Sequence, residues 1–98
     1  MQILKNVENS VMTVALDGRL DTMTAPNLDA ELRNALEGIT ELVFDFEKLA
    51  YISSAGLRVL LSAQKVMNKQ GNMVIKNVCS DIMEVFNVTG FCDILKIV

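Results

Sequence analysis

Residues 41–70 read ELVFDFEKLAYISSAGLRVLLSAQKVMNKQ, and a change of period within this stretch decides the fold class. Glu41 to Phe46 alternates, with Leu42, Phe44 and Phe46 on one side, which is the two-residue period of a strand. Asp45 and Glu47 fall on the other side as an outer polar edge. Glu47 to Ile52 leads into Ser53-Ser54-Ala55-Gly56, where a helix is predicted to begin and to run to about Gln70. Val59, Leu60, Ala63, Val66 and Met67 then fall within an arc of about 120° on a helical wheel, a core stripe. Leu57 and Leu61 lie at its border beside Arg58 and Gln64. They either widen the core or reach a partner.

Upstream, Val11 to Leu16 is a β-rich run that ends at Asp17-Gly18, and Met1 to Val7 alternates more weakly. The turn signal Glu8-Asn9-Ser10 between them predicts a hairpin. Ala25 to Glu37 has helical spacing, with Leu28, Leu32, Ala35 and Leu36 on one face. Thr24 stands at or near the N-cap, Pro26 in the first turn and Gly38 at the stop. Downstream, Gly71-Asn72 is a turn and Met73 to Val78 a strand. Ser80 is expected to cap a third helix running through about Val88, with Ile82, Val85 and Phe86 inward. Gly90 closes that helix, and Phe91 to Val98 is a short terminal helix or strand. The order β-β-α-β-α-β-α plus a tail predicts an α/β fold with right-handed crossovers and a mixed sheet of four or five strands.

Length and charge narrow the function. A chain of 98 residues, half of them apolar, is expected to make one domain spanning residues 1–98 around a single core. Nine basic residues are scattered along a chain of net charge −3, so neither nucleic acid nor an anionic membrane is an expected partner. No apolar run approaches the roughly 20 residues that cross a bilayer. The N-terminus lacks the pattern of a signal peptide, and a cytoplasmic location is expected. Cys79 and Cys92 are then expected as buried thiols rather than a disulfide. There is no histidine. Without it, without a metal cluster and without a nucleophile beside a base, no catalytic residue, metal or cofactor is assigned, and an enzyme is not expected.

The chemistry that remains is at Ser53-Ser54. The first turn of a helix leaves backbone N–H groups unpaired and carries the positive end of the dipole, so an anion is favoured there. A serine at this point caps the helix as it stands, and a phosphorylated one would place about −1.5 to −2 charges on the same spot. Ala55 and Gly56 keep the approach open to another protein. By residue chemistry alone, a plain capping role is the favoured reading, because capping serines are common.

The block from Leu42 to Leu61, with Asp45, Leu49 and Ile52-Ser53-Ser54-Ala55-Gly56-Leu57, resembles the signature of the STAS domain family of sulphate transporters and anti-sigma factor antagonists. Gly18-Arg19-Leu20-Asp21 resembles the family's Gly-x-Leu/Ile-Asp, and Ala25 follows at the familiar distance. Asn72-Met73-Val74-Ile75 resembles its penultimate strand, and Phe86-Asn87-Val88-Thr89-Gly90-Phe91 its closing segment. The resemblance implies helices packed mainly on one face of the sheet. It also implies an anti-sigma factor antagonist that binds an anti-sigma factor, often itself a serine kinase, and so frees a sigma factor. In that family the motif reads Asp-Ser-Ser/Ala/Thr-Gly-Leu, and the serine after the aspartate is phosphorylated. Ser53 here stands at the aspartate position and Ser54 at the acceptor position. The resemblance therefore implies Ser54 as the phosphorylation site, with Ser53 the alternative, and a PP2C-type phosphatase to reset it. Asp21, Ser53, Ala55, Gly56, Leu57, Arg58 and Leu61 are the implied partner-binding residues. Asp21 is expected at the rim of the switch site, and an ordinary loop aspartate capping the helix that follows is the alternative. A differently coupled STAS subunit of a transport or sensory complex, without a switch, is the second functional reading.

Overall fold

The computed structural model describes residues Met1–Val98. Two strands, β1 (Gln2–Glu8) and β2 (Val11–Leu20), form the predicted hairpin, turning at Asn9 with φ 58°. They are followed by α1 (Ala25–Leu32), β3 (Glu41–Ile52), α2 (Ser54–Gln70), β4 (Asn72–Lys76), α3 (Ser80–Thr89), a 3-10 turn (Phe91–Asp93) and β5 (Lys96–Ile97). The sheet is mixed and five-stranded in the order β1-β2-β3-β4-β5. Only β1 runs antiparallel to its neighbour; β2, β3, β4 and β5 are parallel. The tail that reads as helix or strand supplies both.

The core follows the strand period. Met12, Val14 and Leu16 on β2, Leu42, Phe44 and Phe46 on β3, and Met73 and Ile75 on β4 are buried, joined by Leu28, Leu60, Met67, Ile82 and Phe86 from the helices. Each large side chain removed from water contributes about 1.5–3 kcal/mol against the entropy of ordering the chain.

Two strands run past their predicted ends. β2 continues to Leu20 and β3 to Ile52 because the ladder slips register between Ala15 and Asp17 and again between Gly18 and Arg19. After Phe46 the buried residues are Leu49 and Ile52, three apart rather than two. Irregular pairing lets the strands twist while their ends stay hydrogen-bonded. The extension carries Leu20 and Asp21 to the point where α2 starts.

The first helix is shorter than its apolar spacing predicts. Arg33 leaves helical geometry with φ −56° and ψ 128°, and Asn34 follows in the left-handed region at φ 65°, which asparagine tolerates. Residues 33–38 are turns, yet Leu36 and Ile39 remain buried. Gln70 at the end of α2 holds this turn: its Nε2 donates to Leu36 O at 2.6 Å and Ile39 O at 2.7 Å.

On α2 the buried arc is centred about 40° further round toward Leu57 than the predicted stripe. Leu57, Val59, Leu60, Ala63, Gln64 and Met67 are buried, whereas Val66 is 42% exposed. Gln64 Nε2 is held by Asn68 Oδ1 at 2.8 Å, so an amide occupies a place that the wheel assigns to the border. In α3, Cys79 rather than Ser80 is the N-cap, and it caps without a side-chain bond. Ser80 is therefore the first helical residue. Val85 is only half-buried, and Gly90 stops the helix at φ 80° as predicted. The cysteines are free, but Cys79 is exposed and Cys92 half-buried, so neither is the fully buried thiol expected. No helix is long and apolar enough to cross a membrane.

Candidate functional site

The site forms where the C-terminal ends of β2 and β3 lie side by side. Ser53 N donates to Leu20 O at 2.9 Å, which fixes the Asp21 loop against the start of α2. In α/β sheets this edge, beyond the carboxyl ends of parallel strands, is where binding sites gather.

Ser53 is the N-cap of α2. Its backbone is extended (φ −100°, ψ 175°), its Oγ accepts from Gly56 N at 3.4 Å, and its carbonyl accepts from Leu57 N at 3.0 Å. The capping bond is long, so its contribution belongs at the low end of the ~0.5–2 kcal/mol typical of such caps. Ser54 follows as the first helical residue and is exposed. The two serines thus divide the tasks that sequence chemistry leaves together: Ser53 starts the helix, and Ser54 presents its hydroxyl at the positive end of the dipole.

Asp21 reaches this rim from the loop between β2 and α1. Its Oδ1 accepts from the amides of Met23 at 3.0 Å and Thr24 at 3.1 Å. Thr24 Oγ1 accepts from Asp21 N at 2.9 Å and donates to Arg19 O at 2.7 Å. Thr24 is the N-cap position of α1, but its hydroxyl braces the loop rather than capping the helix. Partial burial raises the Asp21 carboxyl. The Thr24 and Met23 amides, the Thr24 hydroxyl and the Arg19 guanidinium outweigh that and hold it below the ordinary aspartate value. Asp21 thus shapes its own loop next to the start of α2 and does not cap α1, whose N-cap position is Thr24.

The remaining implied contact residues separate by burial. Ala55 is half-buried, Arg58 exposed and Leu61 half-buried. Leu57 is only 6% exposed and belongs to the core cluster, which corrects its expected place on a docking face. The helix is turned so that this border residue points into the sheet. Gly56 is buried as well, so it does not keep an approach open to a partner. It is instead needed for packing: a Cβ there would lie 2.7 Å from Leu20 Cγ and 2.9 Å from Ile52 Cγ1. Better helix propensity offsets part of that overlap. Gly56→Ala is expected to lower stability by about 1–2 kcal/mol, read from urea unfolding midpoints. An unchanged or raised midpoint would contradict the packing assigned to this glycine.

Two features of the site were not read from the sequence. The first is a cleft of about 450 Å³ between the N-terminal halves of α1 and α2, lined by Thr22, Ala25, Pro26, Ala55, Arg58 and Ser62 among others. The second is the Arg19 guanidinium, 4.2 Å from the centre of the exposed Tyr51 ring. Arg19 and Tyr51 are register partners across β2 and β3, so only the slipped ladder brings them together. No group of three or more acidic or cysteine side chains is arranged to hold a metal.

Comparison with known proteins places this geometry. The model of the STAS domain family matches residues 2–98. The chain is 33% identical to the candidate anti-sigma factor antagonist BtrV of Bordetella bronchiseptica, over 99% of this chain and 85% of that one. It is 30% identical to the anti-sigma-B factor antagonist of Bacillus subtilis, over 96% of this chain and 86% of that one. Its fold is similar to the Bacillus cell fate determinant SpoIIAA in the phosphorylated form, with a TM-score of 0.78 at 19% identity. That match covers 99% of this chain and 91% of SpoIIAA.

Proposed function

The chain belongs to the STAS domain family, and on that premise we propose that it is an anti-sigma factor antagonist switched by phosphorylation of Ser54. Unmodified, it binds an anti-sigma factor through the rim formed by Asp21, Ser53, Ser54 and Ala55, with Arg58 and Leu61 on the adjoining turns of α2. A sigma factor is thereby released. The partner is itself the serine kinase that modifies Ser54, and a PP2C-type phosphatase restores the binding form.

The observation that carries this reading is the position of Ser54, the first residue of α2, exposed, next to a serine that already caps the helix. A phosphate added there needs no refolding, because the helix keeps its cap and its positive end faces the new charge. The names of the relatives, two of them with at least 30% identity over nearly the whole chain, support the partner class. The motif's usual aspartate is replaced by Ser53, and Asp21, fixed one hydrogen bond away through Leu20, is the carboxylate at this rim.

Incubation with the cognate serine-kinase anti-sigma factor and ATP tests the assignment. Mass spectrometry is expected to show a single added phosphate, absent from Ser54→Ala and retained in Ser53→Ala. Phosphorylation that persists in Ser54→Ala would overturn the choice of serine.

A further inference from the structure

The chain has three arginines, Arg19, Arg33 and Arg58, and two of them already have a carboxylate. Arg19 Nε lies 3.7 Å from Asp21 Oδ2. Arg33 Nη2 is 2.7 Å from Asp29 Oδ2. Arg58 takes part in none of the ion pairs of the chain, although it is exposed and lines the same cleft as Asp29. The surroundings of the switch serine therefore contain one uncompensated cation.

Its position on the helix gives that cation a target. Arg58 is four residues after Ser54, so the two lie on one face of α2 with their Cβ atoms about 5–6 Å apart. Helical side chains lean toward the N-terminus, which puts the first turn within reach of the Arg58 guanidinium. The planar fork of an arginine matches two oxygens of a phosphate. An unmodified serine hydroxyl offers it no comparable acceptor.

We propose that Arg58 is the intrachain counter-ion of a phosphate on Ser54, held unpaired in the unmodified protein and engaged on phosphorylation. This rests on Ser54 being the acceptor. It adds a local element to the switch: the phosphate is held as a dianion at neutral pH, and the unmodified surface presents a free guanidinium that the modified one lacks.

The test uses the full chain with phosphoserine installed at position 54 during synthesis, so no kinase is involved. The second ionisation of the phosphate is followed by phosphorus NMR against pH. Its midpoint is expected about half a pH unit higher in Arg58→Gln than in the parent phosphoprotein. Arg58→Lys should recover part of the difference, and raised salt should shrink it. Arg33→Gln, whose guanidinium is already paired, should leave the midpoint where it was. Coincident midpoints in the parent and Arg58→Gln, or an equal rise in Arg33→Gln, would overturn the assignment. Arg58 is exposed, so Arg58→Gln is expected to fold, which circular dichroism verifies. A kinase that leaves Ser54 untouched would count against the switch and not against this pairing. Coincident midpoints in a chain that the kinase does modify would count against the pairing alone.

Discussion

Phosphorylation of Ser54 is expected to weaken binding to the cognate anti-sigma factor by about 100-fold or more, with the fold of the chain unchanged. Ser54 is exposed at the first position of α2. In a docked complex its hydroxyl would be shielded from water. A phosphate adds about −1.5 to −2 charges at that spot. The charge must then be stripped of water or set against the partner's own groups, a cost of about 3 kcal/mol, and each 1.4 kcal/mol is a factor of ten in affinity. Within the free chain the same charge is tolerated, because it sits at a helix N-terminus. Thermal unfolding should therefore show the modified chain at least as stable as the parent, while titration calorimetry shows the affinity lost. Ser54→Asp brings about half the charge and fewer acceptor oxygens, so its loss should be nearer tenfold.

The second large effect is on stability and comes from Gly71. Its φ of 170° is extended backbone that any residue adopts, so conformation does not require glycine there. Space does. A Cβ at Gly71 would lie 1.8 Å from Thr40 O and 2.6 Å from Thr40 C. The Thr40 backbone is not free to withdraw, because its N–H donates to Ser10 O and its carbonyl accepts from Asn72 N, each at 2.9 Å. Those bonds tie together the segments entering β2, β3 and β4. Gly71→Ala is expected to cost about 3 kcal/mol or more, beyond ordinary overpacking of a core, because backbone rather than side chain must move. Gly38→Ala is the informative comparison. Gly38 has φ 80° but nothing within 4 Å of a Cβ, so only backbone strain of about 1–2 kcal/mol is expected. Urea unfolding of both variants checks the order. Equal midpoints would show that the Thr40 contact does not constrain the chain.

Gly71 also shows where sequence reading stops. Its place as a turn after α2 is legible from local chemistry, but the approach of Thr40 is a contact between residues 31 apart in the chain. The strands were legible wherever burial alternates strictly, as at Leu42, Phe44 and Phe46. They were cut short where the ladder slips, because a step of three from Phe46 to Leu49 and Ile52 has no strand period. The end of α1 was hidden for the opposite reason. Leu28, Leu32 and Leu36 keep helical spacing across a break at Arg33 and Asn34, and the turn closes on a side chain from another helix, Gln70.

The candidate site divides in the same way. The start of α2 at Ser53-Ser54 was legible because capping is local chemistry. Which of the two serines caps and which is presented depends on backbone angles, and the structure assigns those tasks to Ser53 and Ser54 respectively. The direction of Leu57 turned on a rotation of α2 of about 40°, smaller than half the step between adjacent residues. The stack of Arg19 on Tyr51 depends on the slipped register and could not be read from spacing.

The most direct test of the switch is one calorimetric titration series with the cognate serine-kinase anti-sigma factor. A single preparation of the chain is titrated before phosphorylation, after phosphorylation of Ser54, and again after phosphatase treatment. Tight binding, its loss by about two orders of magnitude, and its recovery are the predicted sequence of results. Equal affinity in all three states would contradict the switch at Ser54.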